Sequence, residues 1–123
     1  MQQDTTQSKR ILVVEDERSA RDSIRLLLSI DRHSVAEARE GREALALAAK
    51  QKFDLVVLDY ALPGMLGGEV ARQLQRLAPA TPILMISAFY EKLNVADLPG
   101  VCTVLGKPFA VEDLRAAVAR LTA

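Results

Sequence analysis

The chain has 123 residues, half of them hydrophobic and few aromatic, and its 16 basic residues balance 16 acidic ones. That length fits one domain able to bury about two-thirds of its unfolded surface, and the zero net charge argues against nucleic acid or a membrane surface as partner. No apolar run reaches the roughly 20 residues of a membrane span, and Met1 to Lys9 holds no apolar signal core, so a cytoplasmic protein is expected.

Residues 1–8 are polar, Gln/Thr-rich and aperiodic, which predicts a disordered lead-in to a domain over residues 9–122. Ile11-Leu12-Val13-Val14 predicts a first strand, about residues 10–15, running into Glu15-Asp16-Glu17. Ala20, Ile24, Leu27 and Leu28 then share a helical face, with Arg18, Arg21 and Arg25 assigned to the wet side. A weak strand over 34–38 and an alanine-rich helix over 42–51 follow. His33, at the first helix's exit, is assigned a surface or capping role.

Leu55-Val56-Val57-Leu58-Asp59 predicts a buried third strand that delivers one carboxylate to a loop, with Pro63-Gly64 as the next turn. Val70, Leu74 and Leu77 mark a third helix, which Pro79 stops. Pro82-Ile83-Leu84-Met85-Ile86 forms the fourth strand and ends at Ser87-Ala88. Between Tyr90 and Gly100 only a short helix fits before Pro99-Gly100. Val101-Cys102-Thr103-Val104-Leu105 is the fifth strand, with Cys102 expected to be buried, and it leads into Gly106-Lys107-Pro108-Phe109. Val111, Leu114, Val118 and Leu121 set the inner stripe of a last helix that Ala110 cannot cap.

Five strands alternating with five helices predict an α/β fold. The expected architecture is a doubly wound, five-stranded parallel sheet of order 2-1-3-4-5, in a flavodoxin-like three-layer sandwich. In such a fold the C-terminal strand ends lie along one edge, where ligands bind. Glu15, Asp16, Asp59, Ser87 and Lys107 would therefore converge. Three carboxylates at one edge repel one another unless a cation sits among them, and Mg²⁺ suits such oxygen donors. The Lys107 ammonium would neutralise a bound phosphoryl group, and the Ser87 hydroxyl would donate to it.

In these segments, together with Leu58 to Gly68, the chain resembles the receiver domains of two-component response regulators, the CheY-like family, over about residues 9–122. The resemblance implies that Asp59 accepts a phosphoryl group from a sensor histidine kinase or a histidine phosphotransfer protein. Asp16, Asp59 and the carbonyl of Ala61 would bind Mg²⁺ directly and Glu15 through water, while Ser87 and Lys107 would hold the phosphoryl oxygens. Asp59, Ser87 and Lys107 are thus the catalytic set of a phosphorelay signalling module, not an enzyme with turnover. It would catalyse its own phosphorylation and dephosphorylation and switch an unidentified protein partner. The Lys107-Pro108 bond should be cis, against a prior of about 5% for X-Pro bonds.

Two departures from the family stand out. Val104 occupies the position, three residues before the lysine, that usually carries a switching Tyr or Phe, so activation should not use an aromatic rotamer there. The short 94–100 segment alters the usual output face, which leaves self-association as a phosphorylation-dependent dimer among the expectations. Phe89, near the approach to the phosphoryl group, should restrict attacking water and prolong the phosphorylated state. The competing readings are a metal-dependent small-molecule phosphatase or phosphotransferase and a degenerate receiver acting as a constitutive interaction module. A flavodoxin-like cofactor binder is disfavoured, because no Gly/Ser/Thr-rich phosphate loop follows the first strand.

Overall fold

Strands with unbroken apolar runs require cover on both faces of their sheet, which is the arrangement of a parallel α/β layer structure. The computed structural model describes residues 8–123 and has that arrangement. Its elements in chain order are β1 (Arg10–Val14), α1 (Arg18–Ile30), β2 (Ser34–Ala38), α2 (Gly41–Lys50), β3 (Leu55–Asp59), α3 (Gly67–Leu77), β4 (Ile83–Ser87), β5 (Val101–Gly106) and α4 (Val111–Leu121). The strands are parallel in the order β2-β1-β3-β4-β5, as expected from the sequence. The lead-in expected over residues 1–8 lies, Ser8 apart, outside the described residues.

Alternate residues of the central strands feed two separate cores. Leu12, Val14, Val56, Leu58, Ile83 and Met85 meet Ala44, Val70, Ala71 and Leu74 of α2 and α3 on one face. Ile11, Val13, Leu55, Val57, Leu84 and Ile86 meet Ile24, Leu28, Leu114, Ala117 and Val118 of α1 and α4 on the other. Each fully buried aliphatic side chain contributes roughly 1.5–3 kcal/mol. A one-residue slip of a central strand would exchange its two faces, so the cores hold the register and with it the position of each strand end.

Four details differ from the sequence expectations. Two 3-10 turns, Tyr90–Lys92 and Val95–Asp97, replace the short helix, because eleven residues closed by Pro99-Gly100 leave room for little more than single turns. Cys102 is exposed, not buried. The β4–β5 register pairs Ile83 with Val101 but Leu84 with Thr103, so Cys102 is the extra residue of a bulge on an edge strand. Val111 and Leu77, assigned to inner stripes, are 44% and 50% exposed, because each stands in a terminal turn of its helix. Arg21, assigned to solvent, lies with its side chain only 11% exposed.

The His33 side chain does not cap α1: it is half-buried, and its Nδ1 accepts from the Lys9 backbone N–H at 3.1 Å, at the foot of β1. Burial, opposed by the charge of Asp31, holds its imidazole below the usual histidine range. At the start of α1, the Glu17 carboxylate accepts from the Ala20 N–H at 2.9 Å and serves as the N-cap.

The bulge makes a direct prediction. Native Cys102 should react with a thiol reagent at a rate within a small factor of that in denaturant, and Cys102→Ser should change stability by less than about 0.5 kcal/mol. Protection of the thiol until global unfolding would contradict the exposed position.

Candidate functional site

Register delivers the polar side chains to one edge. Asp59, the last residue of β3, pairs with Ile86, so Ser87 lies one step further along β4, and Ser87 in turn pairs with Gly106. The Lys107 backbone N–H donates to the Ser87 carbonyl at 2.9 Å and carries that alignment into the loop after β5. Glu15 and Asp16 leave the end of the adjacent β1. The Lys107-Pro108 peptide is cis, as the resemblance implied.

Glu15, Asp59 and Ser87 are 1%, 4% and 1% exposed and are the only buried polar side chains among the described residues, whereas Asp16 faces solvent. Carboxylate oxygens of Glu15, Asp16 and Asp59 lie within 4.8 Å of one another. The Lys107 Nζ donates to Glu15 Oε1 at 2.7 Å and stands 3.3 Å from Asp59 Oδ1. The second Glu15 oxygen accepts from the Glu17 N–H at 3.1 Å. Three carboxylates against one ammonium leave two excess negative charges when Asp59 is ionised.

That imbalance falls on Asp59. Burial and the charges of Glu15 and Asp16 raise its carboxyl to about 6, against the counter-pull of Lys107. Burial also penalises the Lys107 ammonium, but its hydrogen bond to Glu15 and the charge of Asp59 outweigh the penalty and raise its pKa. Hard oxygen donors, charge in excess by two and a partly open mouth at Asp16 fit a Mg²⁺ ion, which favours carboxylates together with water. Ala61 sits in the exposed bend after β3, two residues beyond Asp59.

The loop that carries Asp59 onward is pinned by close approach. The Gly67 N–H donates to Tyr60 O at 2.7 Å, and a Cβ on Gly67 would stand 2.6 Å from Tyr60 Cα and 2.8 Å from Asp59 O. Only glycine lets α3 begin against the end of β3. Ser87 closes its own turn, its Oγ accepting from the Phe89 N–H at 2.8 Å, while the Phe89 ring is 56% exposed.

Two features of this edge escaped the sequence. Tyr90 lies on the backbone of Gly106, where an added Cβ would come within 2.3–2.7 Å of three ring carbons, so an aromatic ring covers β5 although Val104 supplies none. The absent side chain at Gly106, read only as a loop residue, was the available signal. Arg21 reaches under the acidic loop: its Nη1 donates to Glu15 O at 2.9 Å and to Asp16 O at 3.5 Å, and its Nε to Glu37 Oε1 at 3.2 Å. Helical periodicity could not show this, because Glu37 comes from β2, 16 residues away.

Residues 11–119 match the family model described as the response regulator receiver domain. The response regulator MprA of Mycolicibacterium vanbaalenii is 44% identical over 110 residues, which are 87% of this chain and 47% of that protein. MprA of Mycobacterium leprae is 40% identical over 115 residues, 91% of this chain and 50% of that protein. The chain thus spans about half the length of the curated relatives it matches. Among solved structures, the response regulator TrrA of Thermotoga maritima, in complex with Mg(2+)-BeF, superposes with a TM-score of 0.86 at 29% identity, covering 92% of this chain and 98% of that one. A CheY-like receiver domain protein of Methanospirillum hungatei superposes at 0.84 with 25% identity and 93% of each chain covered.

Two predictions come from this geometry. The raised Asp59 pKa means that the folded protein holds a proton the unfolded chain has already released, so the contribution of Asp59 to stability falls as pH rises from about 3.8 to about 6 and then levels off. Asp59→Asn, measured by thermal melts in EDTA, should therefore stabilise the protein by about 1–3 kcal/mol at pH 7.5, with the gain gone below pH 4. Gly106→Ala should cost about 1–3 kcal/mol by overpacking against Tyr90. In a Tyr90→Ala background most of that cost should vanish, and an undiminished cost would show that the ring is not the obstacle.

Proposed function

This chain belongs to the response-regulator receiver family, and from that premise we propose that Asp59 takes a phosphoryl group from a phosphohistidine on a sensor kinase or phosphotransfer protein. The observation that carries the reading is the Lys107 ammonium held between Glu15 and Asp59 at the strand ends, at 2.7 and 3.3 Å. With its pKa at about 6, Asp59 is mainly ionised at neutral pH and available as a nucleophile. One of its oxygens forms the P–O bond as the P–N bond to histidine breaks, with the electron pair leaving on the imidazole. The product is an aspartyl phosphate.

The rest is positioning and charge. Lys107 shifts its contact from the Asp59 carboxylate to the incoming phosphoryl oxygens, while its bond to Glu15 keeps it in place. The Ser87 hydroxyl accepts the Phe89 N–H and so keeps its own proton for a phosphoryl oxygen. Asp16, Asp59 and the Ala61 carbonyl would hold Mg²⁺ directly and Glu15 through water, and the ion when bound offsets the charge of the acids and of the phosphoryl oxygens. TrrA, solved with Mg(2+)-BeF, supports that assignment by its overall likeness.

We assign the domain to residues 9–122 and take it to work in the cytoplasm as a signalling module without substrate turnover. No described helix is long and apolar enough to cross a membrane. Its output is a change in binding to a protein partner or to a second copy, through a surface in which two 3-10 turns stand between β4 and β5. Val104 lacks a ring to swing, so the switch operates without an aromatic rotamer at that position.

Incubation of the protein with acetyl phosphate and Mg²⁺, followed by intact-mass measurement, should show a gain of one phosphoryl group that is lost in base. The gain should be absent in Asp59→Asn and in EDTA. Continued hydrolysis of acetyl phosphate by Asp59→Asn would instead point to a phosphatase.

A further inference from the structure

Two acids that must meet one ion need their backbone fixed, yet Glu15 and Asp16 lie in the connection between β1 and α1, where neither sheet nor helix bonds hold both carbonyls. The Glu15 N–H is tied to Ala38 O at 3.0 Å, which anchors only one side of that peptide pair. The Arg21 guanidinium supplies the other anchor, with Nη1 on Glu15 O at 2.9 Å and on Asp16 O at 3.5 Å. Its planar fork is itself held, because Nε donates to Glu37 Oε1 at 3.2 Å, and Arg25 Nε reaches the other Glu37 oxygen at 3.5 Å. Arg21 is nearly buried and so costly to desolvate without such a purpose.

We propose that Arg21 is a positioning residue for the cation site, fixing the Glu15–Asp16 backbone through both carbonyls, with Glu37 as its anchor. The proposal rests on the assignment of that acidic cluster to Mg²⁺. A bland alternative is that Arg21 merely joins α1 to β2 as an ion pair. The two differ in sign. A nearby cation disfavours a bound divalent ion by repulsion, so removing its charge should tighten binding if charge were all that mattered. If orientation dominates, removing the fork weakens binding although the repulsion falls.

The test is calorimetric titration of Mg²⁺ alone into the full chain, with thermal melts in EDTA beside it. Arg21→Gln should weaken Mg²⁺ binding about tenfold, the range for partners that orient metal ligands. Arg21→Lys keeps the charge but cannot serve two carbonyls and Glu37 together, so it should fall between the two. Glu37→Gln should weaken binding by a smaller factor with Arg21 intact. Binding by Arg21→Gln as tight as the parent's or tighter would overturn the proposal, as would an unchanged affinity in Arg21→Lys. Should Arg21→Gln fail to fold, Arg21→Lys and Glu37→Gln carry the same test, and parental affinity in both overturns it. Absence of Mg²⁺ binding by the parent would instead overturn the cation-site assignment itself.

Discussion

The ion cluster of Glu15, Asp59 and Lys107 is the constraint on which the upper edge of this protein depends. Two nearly buried carboxylates share one partly buried ammonium. Burying charge is tolerable only when the partners are held at short distance, and removing one partner leaves the others uncompensated. A third carboxylate, Asp16, stands beside them in solvent. The balance is incomplete: one cation cannot neutralise three acids, and burial of Asp59 together with the neighbouring negative charge raises its pKa. A site in that condition favours any ligand that brings positive charge, and Lys107 can then be shared with new oxygens.

Everything beneath that edge serves to hold it. Asp59 and Ser87 are each the last residue of a strand whose other members are packed among aliphatic side chains on both faces. Their relative height is therefore set by cores far larger in energy than any polar contact at the edge. Glycine then removes side-chain volume where backbone must come close, at Gly67 under the end of β3 and at Gly106 under Tyr90. The edge strands β2 and β5 are less buried, and β5 absorbs its irregularity by extruding Cys102 between two paired residues.

Much of this was legible in the chain alone. Unbroken apolar runs with no alternation, each ending in a polar residue, announced a parallel sheet with its site at one edge, because that pattern is stable only with helices on both faces. Asp59 at the end of Leu55–Leu58 and Lys107 after Val101–Leu105 were visible for the same reason. The errors lie where local pattern and long-range packing part company. Cys102 sits in an apolar segment but on an edge strand with a bulge, and Arg21 follows the polar face of its helix yet bends under the loop toward Glu37.

The order of hydrophobic and polar residues thus determined the layers, the strand ends and the residue types available for chemistry. Burial of aliphatic runs is a sum over neighbours in sequence and needs no knowledge of partners. Tertiary structure alone decided which charge meets which. Lys107 and Glu15 are 92 residues apart, and their 2.7 Å contact exists only once four strands are in register. The elevated Asp59 pKa, the ring of Tyr90 over Gly106 and the reach of Arg21 are of the same kind. Each depends on distances of a few ångströms between segments remote in sequence, to which electrostatics and close packing respond steeply and residue order does not.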